Sequence, residues 1–128
     1  MNTTVAIPNY NGLEGLKILL PKLSEQDFYW IYLLDDNSTD QSVCYARSFP
    51  KINVIEGNTN LGPAGNRNRI LKEENLGELI WFVDADMDLV SNNIINRAEN
   101  LFDDPEIAVV GGHILTLKGN SYLSLIHI

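Results

Sequence analysis

The sequence has one cysteine, few basic residues and no long apolar run. The single cysteine, Cys44, excludes an internal disulfide and is typical of a reducing compartment. Nine Lys and Arg residues stand against 17 Asp and Glu, and the resulting charge of -8 argues against nucleic acid or an anionic membrane as the main partner. No apolar stretch approaches the ~20 residues of a membrane span, and no basic-then-apolar leader begins the chain. We therefore expect a cytoplasmic location, either free or peripheral at the inner face of the membrane.

The composition is otherwise typical of one globular domain, with 128 residues of which 45% are hydrophobic and 20% charged. A chain of this length can bury a core, but it is small for an enzyme with two substrates. We expect residues 1–118 to form one domain. The apolar residues 119–128 are then a continuation cut short or a segment that packs on a partner, which makes a homodimer possible.

Strand-like and helix-like segments alternate along the chain. Helix-length connections between successive strands predict right-handed crossovers, and hence a mainly parallel sheet with helices on both faces. The class of fold predicted is therefore α/β. The five predicted strands cover residues 3–7, 29–34, 52–55, 79–83 and 107–110, and the last leads through residues 111–112 into the apolar segment 114–117.

Particular residues predict where several helices begin and end. Pro21 is expected to bend or end the first helix. Ser38, with Gln41 three residues later, has the spacing of a capping box and predicts the start of the second helix. Pro63 suits the first turn of a third helix that runs to about residue 75, and Ser91 suits the start of a fourth.

The fourth predicted strand ends in an abrupt change from apolar to acidic residues. If extended geometry persists, Asp84 and Asp86 point the same way, and two close carboxylates repel each other unless a cation lies between them. Mg²⁺ is commonly held by one or two carboxylates, with substrate phosphates and water completing its shell. The pair therefore indicates a metal–phosphate site. Acids at strand ends also occur in ordinary turns, which is the interpretation favoured for Asp88 alone.

Polar residues follow each of the first four predicted strands. In open parallel sheets, ligands bind outside the carboxyl ends of the strands, near the point where the strand order reverses. The segments predicted to meet at this edge are residues 8–12, 35–37, 58–62 and 84–88.

Together these segments resemble the nucleotide-binding half of a glycosyltransferase of family 2, which has the GT-A fold. Residues 6–11 resemble the family's opening Ile-Pro-x-Tyr-Asn, and residues 34–40 resemble its Val-Asp-Asp-Gly-Ser-x-Asp. Residues 58–68 resemble its Asn-x-Gly-x-x-x-Ala-Arg-Asn, with Asn66 where Ala is usual, and residues 84–86 resemble its metal-binding Asp-x-Asp. The resemblance implies a three-layer Rossmann-like GT-A sheet.

The resemblance also implies a donor site for a nucleoside-diphosphate sugar, with a UDP-sugar favoured, and Mn²⁺ or Mg²⁺ as cofactor. Tyr10 would lie against the nucleobase, and Asp36 would accept the imide N–H of uracil. Arg67 would face the diphosphate. Asp86 would bind the metal, and Asp84 would hold the metal-bound water or the ribose. The implied donor site also includes Pro8, Asn11 and Gly62.

Structural interpretations of the same residues remain open. Tyr10 is as well explained by a loop aromatic that packs on the sheet. Arg67 could form a salt bridge with a nearby acid, which is compatible with binding a diphosphate. Asp35 is interpreted as a structural residue that bonds loop amides, although it could exchange roles with Asp36.

The resemblance implies an inverting transfer in which a carboxylate base deprotonates a hydroxyl of a glycan or lipid-linked acceptor. In the family that base lies beyond the region that corresponds to residues 111–112, and this chain ends soon after. Asp103, Asp104 and Glu106 are poor substitutes, because they should lie at the opposite edge of the sheet. We therefore expect nucleotide binding with the catalytic base absent. The alternative is a non-catalytic nucleotide-binding or oligomerisation module.

Overall fold

A computed structural model of the chain describes residues 2–89, 91–111, 113–115 and 121–123. The chain forms two compact units, Met1–Val90 and Ser91–Ile128. Most of the predicted apolar tail, residues 119–128, lies outside the described residues, and the predicted boundary after residue 118 stays a prediction.

The first unit alternates strands and helices as the sequence predicts. Its four strands form one sheet in the order β3-β2-β1-β4, with every neighbouring pair parallel. The strand order reverses beside β1, so the carboxyl ends of β1 and β4 mark the switch point. The predicted α/β class is confirmed. The elements are β1 (Thr3–Asn9), α1 (Leu13–Ser24), β2 (Trp30–Asp35), α2 (Ser42–Arg47), β3 (Ile52–Glu56), α3 (Gly62–Asn68), a 3₁₀ helix (Arg69–Lys72) and β4 (Leu79–Phe82).

The core lies on both faces of this sheet, because successive side chains of a strand point to opposite faces. On one face, Val5 and Ile7 of β1 pack in a cluster with the buried leucines of α1. On the other face, Leu34 of β2 packs in a cluster that includes Ile70 of the 3₁₀ helix. Burial of each large aliphatic side chain contributes about 1.5–3 kcal/mol, so both layers stabilise the strand ends that carry the polar loops. The α1 leucines are Leu16, Leu19, Leu20 and Leu23.

Four helix boundaries differ from the predictions, including the start of the fourth helix, which lies at Ile94 and not directly after Ser91. α1 does not end at Pro21 but continues to Ser24, whose hydroxyl donates to the Pro21 carbonyl at 3.0 Å. α2 starts at Ser42 instead of after Ser38, because Ser38 bonds to the end of β2. The third helix is shorter than predicted and tightens into the 3₁₀ helix, which ends at Lys72.

The second unit contains α4 (Ile94–Leu101) and a two-stranded antiparallel sheet of β5 (His113–Leu115) and β6 (Ser121–Leu123). The predicted strand over residues 107–110 is wrong, since these residues are in irregular structure. A short apolar run is a weak strand signal unless a neighbour supplies ladder hydrogen bonds, and the described sheets offer it none. Of the apolar segment 114–117, residues 116 and 117 lie outside the described part.

Within the described ranges, no helix combines the length and the apolar character needed to cross a bilayer.

Candidate functional site

The loops that follow β1, β2 and β3 begin side by side at the carboxyl edge of the sheet. The amide of Asp36 donates to the carbonyl of Asn9 at 2.9 Å, and the amide of Gly57 donates to the carbonyl of Asp35 at 2.8 Å. On the other side of β1, the amide of Val83 donates to the carbonyl of Ala6 at 3.0 Å. The parallel pairing thus extends to the loop residues and brings the predicted polar segments to one edge.

Asp35 holds the first two loops together. Its Oδ1 accepts from the Asn9 side-chain amide at 3.0 Å and from the Ser38 hydroxyl at 2.7 Å, and its Oδ2 accepts from the Ser38 amide at 2.9 Å. The residue is buried. These contacts agree with the structural interpretation of Asp35.

Asn11 also joins the first two loops. Its backbone has φ of 52°, a left-handed conformation that Asn tolerates better than most residues. Its Oδ1 accepts from the amides of Thr39 and Asp40 at 2.8 and 3.2 Å, and its own amide donates to the Ser38 hydroxyl at 2.9 Å. The side-chain oxygen of Asn11 therefore already has loop partners.

Tyr10 lies between Asn9 and Asn11, whose side chains are both hydrogen-bonded, and 56% of Tyr10 is exposed. Its ring is therefore largely open to solvent. Pro8 lies within β1, beside Leu34 of β2, and is half-buried. The exposed ring of Tyr10 therefore lies on a loop that is fixed on both sides. The residue before Tyr10, Asn9, accepts from the backbone amide of Asp36.

Asp36 is fixed by the loop that follows β3. Its Oδ1 accepts from the amide of Leu61 at 2.8 Å, and its Oδ2 accepts from the amide of Gly62 at 3.0 Å. Gly62 has φ of 79°, which glycine adopts without the steric cost that other residues incur. Burial acts to raise the pKa of Asp36, but the hydrogen bonds from Leu61, Arg69 and Gly62 outweigh it and lower the pKa. Asp36 is therefore held as an ionised acceptor.

Two residues that sequence reasoning did not assign to the site complete this arrangement. The Arg69 guanidinium donates to Asp36 Oδ1 at 2.6 Å and to the Thr59 carbonyl at 2.8 Å. Asn66, singled out only as a departure from the family pattern, accepts from Arg69 at 2.7 Å and donates to the Leu34 carbonyl at 2.8 Å. The signal available in the sequence was that departure, which places a polar side chain on the inner face of α3.

The acidic segment after β4 forms a turn. β4 ends at Phe82, and the amide of Met87 donates to the carbonyl of Asp84 at 3.0 Å. The alternation expected of an extended strand therefore does not persist through Asp84 and Asp86. A tight turn separates them instead, with Asp84 half-buried and Asp86 exposed.

Helix α1 supports this acidic turn. A Cβ at Gly15 would overlap the carbonyl oxygen of Ala85, so only glycine permits the turn to lie this close to the helix. At the other end of the helix, Lys22 forms an ion pair with Asp88 and donates to the Leu89 carbonyl at 3.5 Å. Asp88 thus has a structural partner, which agrees with its interpretation as a turn residue and not as a metal ligand like Asp84 and Asp86.

Arg67 of α3 donates to Asp84 Oδ1 at 2.8 Å. Their side chains are 36% and 47% exposed, so both remain open to a ligand. Arg67 thus forms the salt bridge with a nearby acid that is the alternative interpretation of this residue. The salt bridge places the predicted diphosphate-binding cation directly beside the predicted metal-binding turn.

Asp84 and Asp86 lie in one turn, and carboxylate oxygens are the ligands that hard divalent cations prefer. Among the described residues, no group of three or more His, Cys, Asp or Glu could hold a metal ion by itself. Two carboxylates still suit Mg²⁺ or Mn²⁺ when substrate phosphates supply further oxygens. The donor set therefore fits an ion that binds together with an anionic ligand.

The parallel sheet and its strand order define an α/β domain of the Rossmann-like type. A model of the family described as glycosyl transferase family 2 matches residues 4–125. The chain belongs to glycosyl transferase family 2.

Two curated relatives are similar over most of this chain. Poly(ribitol-phosphate) beta-N-acetylglucosaminyltransferase TarS of Staphylococcus aureus is 30% identical over 128 residues, which cover 93% of this chain and 21% of TarS. Poly(ribitol-phosphate) beta-glucosyltransferase of Bacillus spizizenii is also 30% identical, over 93% of this chain and 20% of that protein. The chain thus spans about a fifth of the length of these relatives.

Solved structures share the fold. Residues 1–349 of S. aureus TarS in complex with UDP-GlcNAc align with a TM-score of 0.68 and 30% identity, over 90% of this chain and 34% of that one. The mannosyltransferase PcManGT from Pyrobaculum calidifontis, in complex with GDP-Man and Mn²⁺, aligns with a TM-score of 0.77 over 84% of this chain and 34% of that one. At 23% identity, the second likeness concerns the fold alone.

Proposed function

We propose that this chain binds a nucleoside-diphosphate sugar, with a UDP-sugar favoured, and supplies the donor site of a sugar transfer. The observation that carries the proposal is that Asp36 and the ion pair of Arg67 with Asp84 lie at one edge of the sheet. Family membership supports it, as does the UDP-GlcNAc complex of the similar TarS structure.

The nucleobase is assigned to Asp36 and Tyr10. Asp36 is ionised, rigidly held and capable of accepting one more N–H donor, as the imide of uracil provides. Tyr10 offers an exposed aromatic ring two residues beyond Pro8 on the neighbouring loop. Stacking on the ring supplies affinity, and the carboxylate supplies discrimination between bases.

The diphosphate is assigned to Arg67, with Gly62, Pro8 and Asn11 shaping the loops around it. The guanidinium of Arg67 is delocalised and suits phosphate oxygens, and it is already positioned by its bond to Asp84. In the free protein, the charge of Arg67 is balanced by that carboxylate. A bound diphosphate would offer the same cation a second anionic partner.

Asp86 and Asp84 are the residues that would hold Mn²⁺ or Mg²⁺. Such an ion supplies charge neutralisation for a departing nucleoside diphosphate. The chain contributes the turn that presents the two carboxylates, and α1 fixes this turn through the contact between Gly15 and Ala85.

Transfer requires an acceptor hydroxyl that attacks the anomeric carbon from the side opposite the leaving diphosphate, which gives inversion. By their names, the two curated relatives act on poly(ribitol-phosphate). We therefore propose a hydroxyl of a phosphate-linked polyol or glycan as the acceptor class. No residue of this chain is assigned as the base. The cytoplasmic location and the homodimer remain predictions from the sequence.

Calorimetric titration of the chain with UDP tests the proposal. Binding should require Mn²⁺ or Mg²⁺ and should be abolished by chelation and by Asp86→Ala. The matched control is Asp27→Ala, which removes an exposed carboxylate just before β2, at the amino edge of the sheet. Its affinity for UDP should equal that of the wild type.

Metal-independent binding of UDP would assign the diphosphate to Arg67 alone and would contradict the role of the acidic turn. Absence of UDP binding under any metal condition would contradict the proposed function as a whole.

A further inference from the structure

The hydrogen bonds to Asp36 are unevenly divided between its two oxygens. Within the described part of the chain, Oδ1 accepts from the Leu61 amide and from Arg69, whereas Oδ2 accepts only from the Gly62 amide. Each carboxylate oxygen has two acceptor positions. Oδ1 is therefore saturated, and Oδ2 keeps one position.

Arg69 is the residue that makes this division. Its side chain is 11% exposed and that of Asp36 is 4% exposed, so the pair is shielded from water and is rigid compared with a surface ion pair. Arg69 also donates to the Thr59 carbonyl at 2.8 Å and, more weakly, to the Asp35 carbonyl at 3.4 Å. These bonds prevent the guanidinium from turning away from Oδ1.

Asn66 fixes Arg69 from the helix side. The Asn66 amide is buried, bonds the Leu34 carbonyl of β2 through its nitrogen and accepts from Arg69 through its oxygen. On the opposite side, a Cβ at Gly57 would overlap the guanidinium, so the loop after β3 also packs closely against it. An alanine at position 66, the usual residue of the family pattern, would leave Arg69 without this support.

We infer that Arg69, positioned by Asn66, is a specificity-determining residue of the donor site and selects uracil against guanine; this inference rests on the proposed function. Uracil presents one N–H between two carbonyl oxygens, and the open position on Oδ2 suits that single donor. Guanine presents the parallel N1–H and N2–H donors, which bind a carboxylate best through both oxygens. Because Arg69 and Leu61 fill Oδ1, the second guanine donor is left without a partner in a desolvated site.

The test compares three nucleotides on the wild-type chain with Mn²⁺: UDP, GDP and inosine diphosphate. Inosine diphosphate is a purine of the same shape as GDP without the exocyclic amino group, so it has one N–H donor on this edge. We expect UDP to bind roughly ten- to hundredfold tighter than GDP, and inosine diphosphate to bind tighter than GDP. This comparison needs no variant and does not depend on the folding of a mutant.

Two variants then test the residues themselves. Arg69→Met should lower the ratio of the GDP and UDP dissociation constants to within about threefold. Asn66→Ala should give a ratio between that of Arg69→Met and that of the wild type. The matched controls are Arg47→Met, which removes an exposed arginine paired with Glu56, and Asn53→Ala, which removes a side-chain amide bonded to the Ile31 carbonyl of β2. Both controls should keep the wild-type ratio.

Equal binding of GDP and inosine diphosphate to the wild type would overturn the inference, because the second N–H donor of guanine would then not lower the binding affinity. Equal weakening of UDP and GDP in Arg69→Met would also overturn it, since that result indicates a purely structural role. Absence of UDP binding to the wild type contradicts the proposed function itself, and the inference falls with it.

Discussion

Arg67 and Asp84 form an ion pair at 2.8 Å although they follow β3 and β4, the two outer strands of the sheet. Helix α3 carries Arg67 back across β2 and β1, so its guanidinium reaches the turn after β4. The pair therefore joins the segment that follows one outer strand to the turn that follows the other, at the carboxyl edge of the sheet. It also neutralises one of the two carboxylates proposed to bind the metal, which would couple the proposed cation and diphosphate sites.

This coupling predicts opposite effects of Arg67→Gln on two ligands. Without nucleotide, the affinity for Mn²⁺ should rise by roughly two- to fivefold, because Asp84 loses a competing cation from a partly exposed pair. The affinity for UDP in saturating Mn²⁺ should fall. Titration calorimetry measures both affinities, and Arg47→Gln, at an exposed ion pair, is the control. A fall in both affinities would show that Arg67 supports the turn and does not compete for it.

Removal of the ion pair should have little effect on the fold. Since both side chains are more than a third exposed, solvent screens the pair, and Arg67→Gln should change the free energy of unfolding by less than about 1 kcal/mol. Urea denaturation measures this quantity. A larger loss would contradict the view that Arg67 is available to a ligand.

Asp36 predicts a dependence of stability on pH. Its pKa is lowered in the folded chain, so the folded state binds fewer protons here than the unfolded state. The resulting stabilisation is present above the ordinary Asp pKa of about 3.9 and is lost as the pH falls through the lowered folded pKa. The free energy of unfolding should therefore fall below about pH 4 more steeply in the wild type than in Asp36→Asn.

Urea denaturation between neutral and acidic pH measures this difference, with Asp27→Asn as the control for the loss of one carboxylate. Parallel pH curves for the wild type and Asp36→Asn would contradict the assignment of Asp36 as a stabilised, ionised acceptor.

Much of this arrangement can be predicted from the sequence. The predictions that are wrong have identifiable physical causes. Apolar runs and helix-length connections predict the parallel sheet, and the sheet alone brings four loops to one edge. The capping box at Ser38 fails because the Ser38 hydroxyl bonds to Asp35, three residues earlier and 2.7 Å away, in a local motif that competes with helix capping. Arg69 is missed because three of its four acceptors, on Asp35, Asp36 and Thr59, lie ten or more residues away in the sequence and meet it only in the folded chain.

Gly15 predicts that the acidic turn depends on close packing against α1. A Cβ at this position meets backbone atoms of Ala85 and Asp86, which cannot rotate away as a side chain can. Gly15→Ala should lower the free energy of unfolding by about 1–3 kcal/mol and weaken Mn²⁺-dependent binding of UDP. Lys17→Ala, at an exposed position of the same helix, should do neither. If Gly15→Ala is destabilised but binds UDP as the wild type does, the acidic turn takes no part in the donor site.

The core contacts of α1 predict a sharp contrast between two neighbouring positions. Leu20 is fully buried, whereas Ile18 is 53% exposed. Leu20→Ala should lower the free energy of unfolding by about 2–5 kcal/mol, and Ile18→Ala should change it by about 0.5 kcal/mol or less. Chemical denaturation of both variants provides the comparison. Equal losses would contradict the placement of α1 on the sheet.

The central claim is that the turn at Asp84 and Asp86 binds a divalent cation together with a nucleoside diphosphate at the carboxyl edge of the sheet. Mn²⁺ broadens NMR signals of nearby nuclei, so backbone amide spectra of the chain with UDP and substoichiometric Mn²⁺ locate the ion directly. We predict the strongest broadening at residues 84–86, with weaker broadening at Arg67 and no effect at Asp27. Broadening centred on other acidic residues would contradict the account. Broadening that is the same with and without UDP would also contradict it.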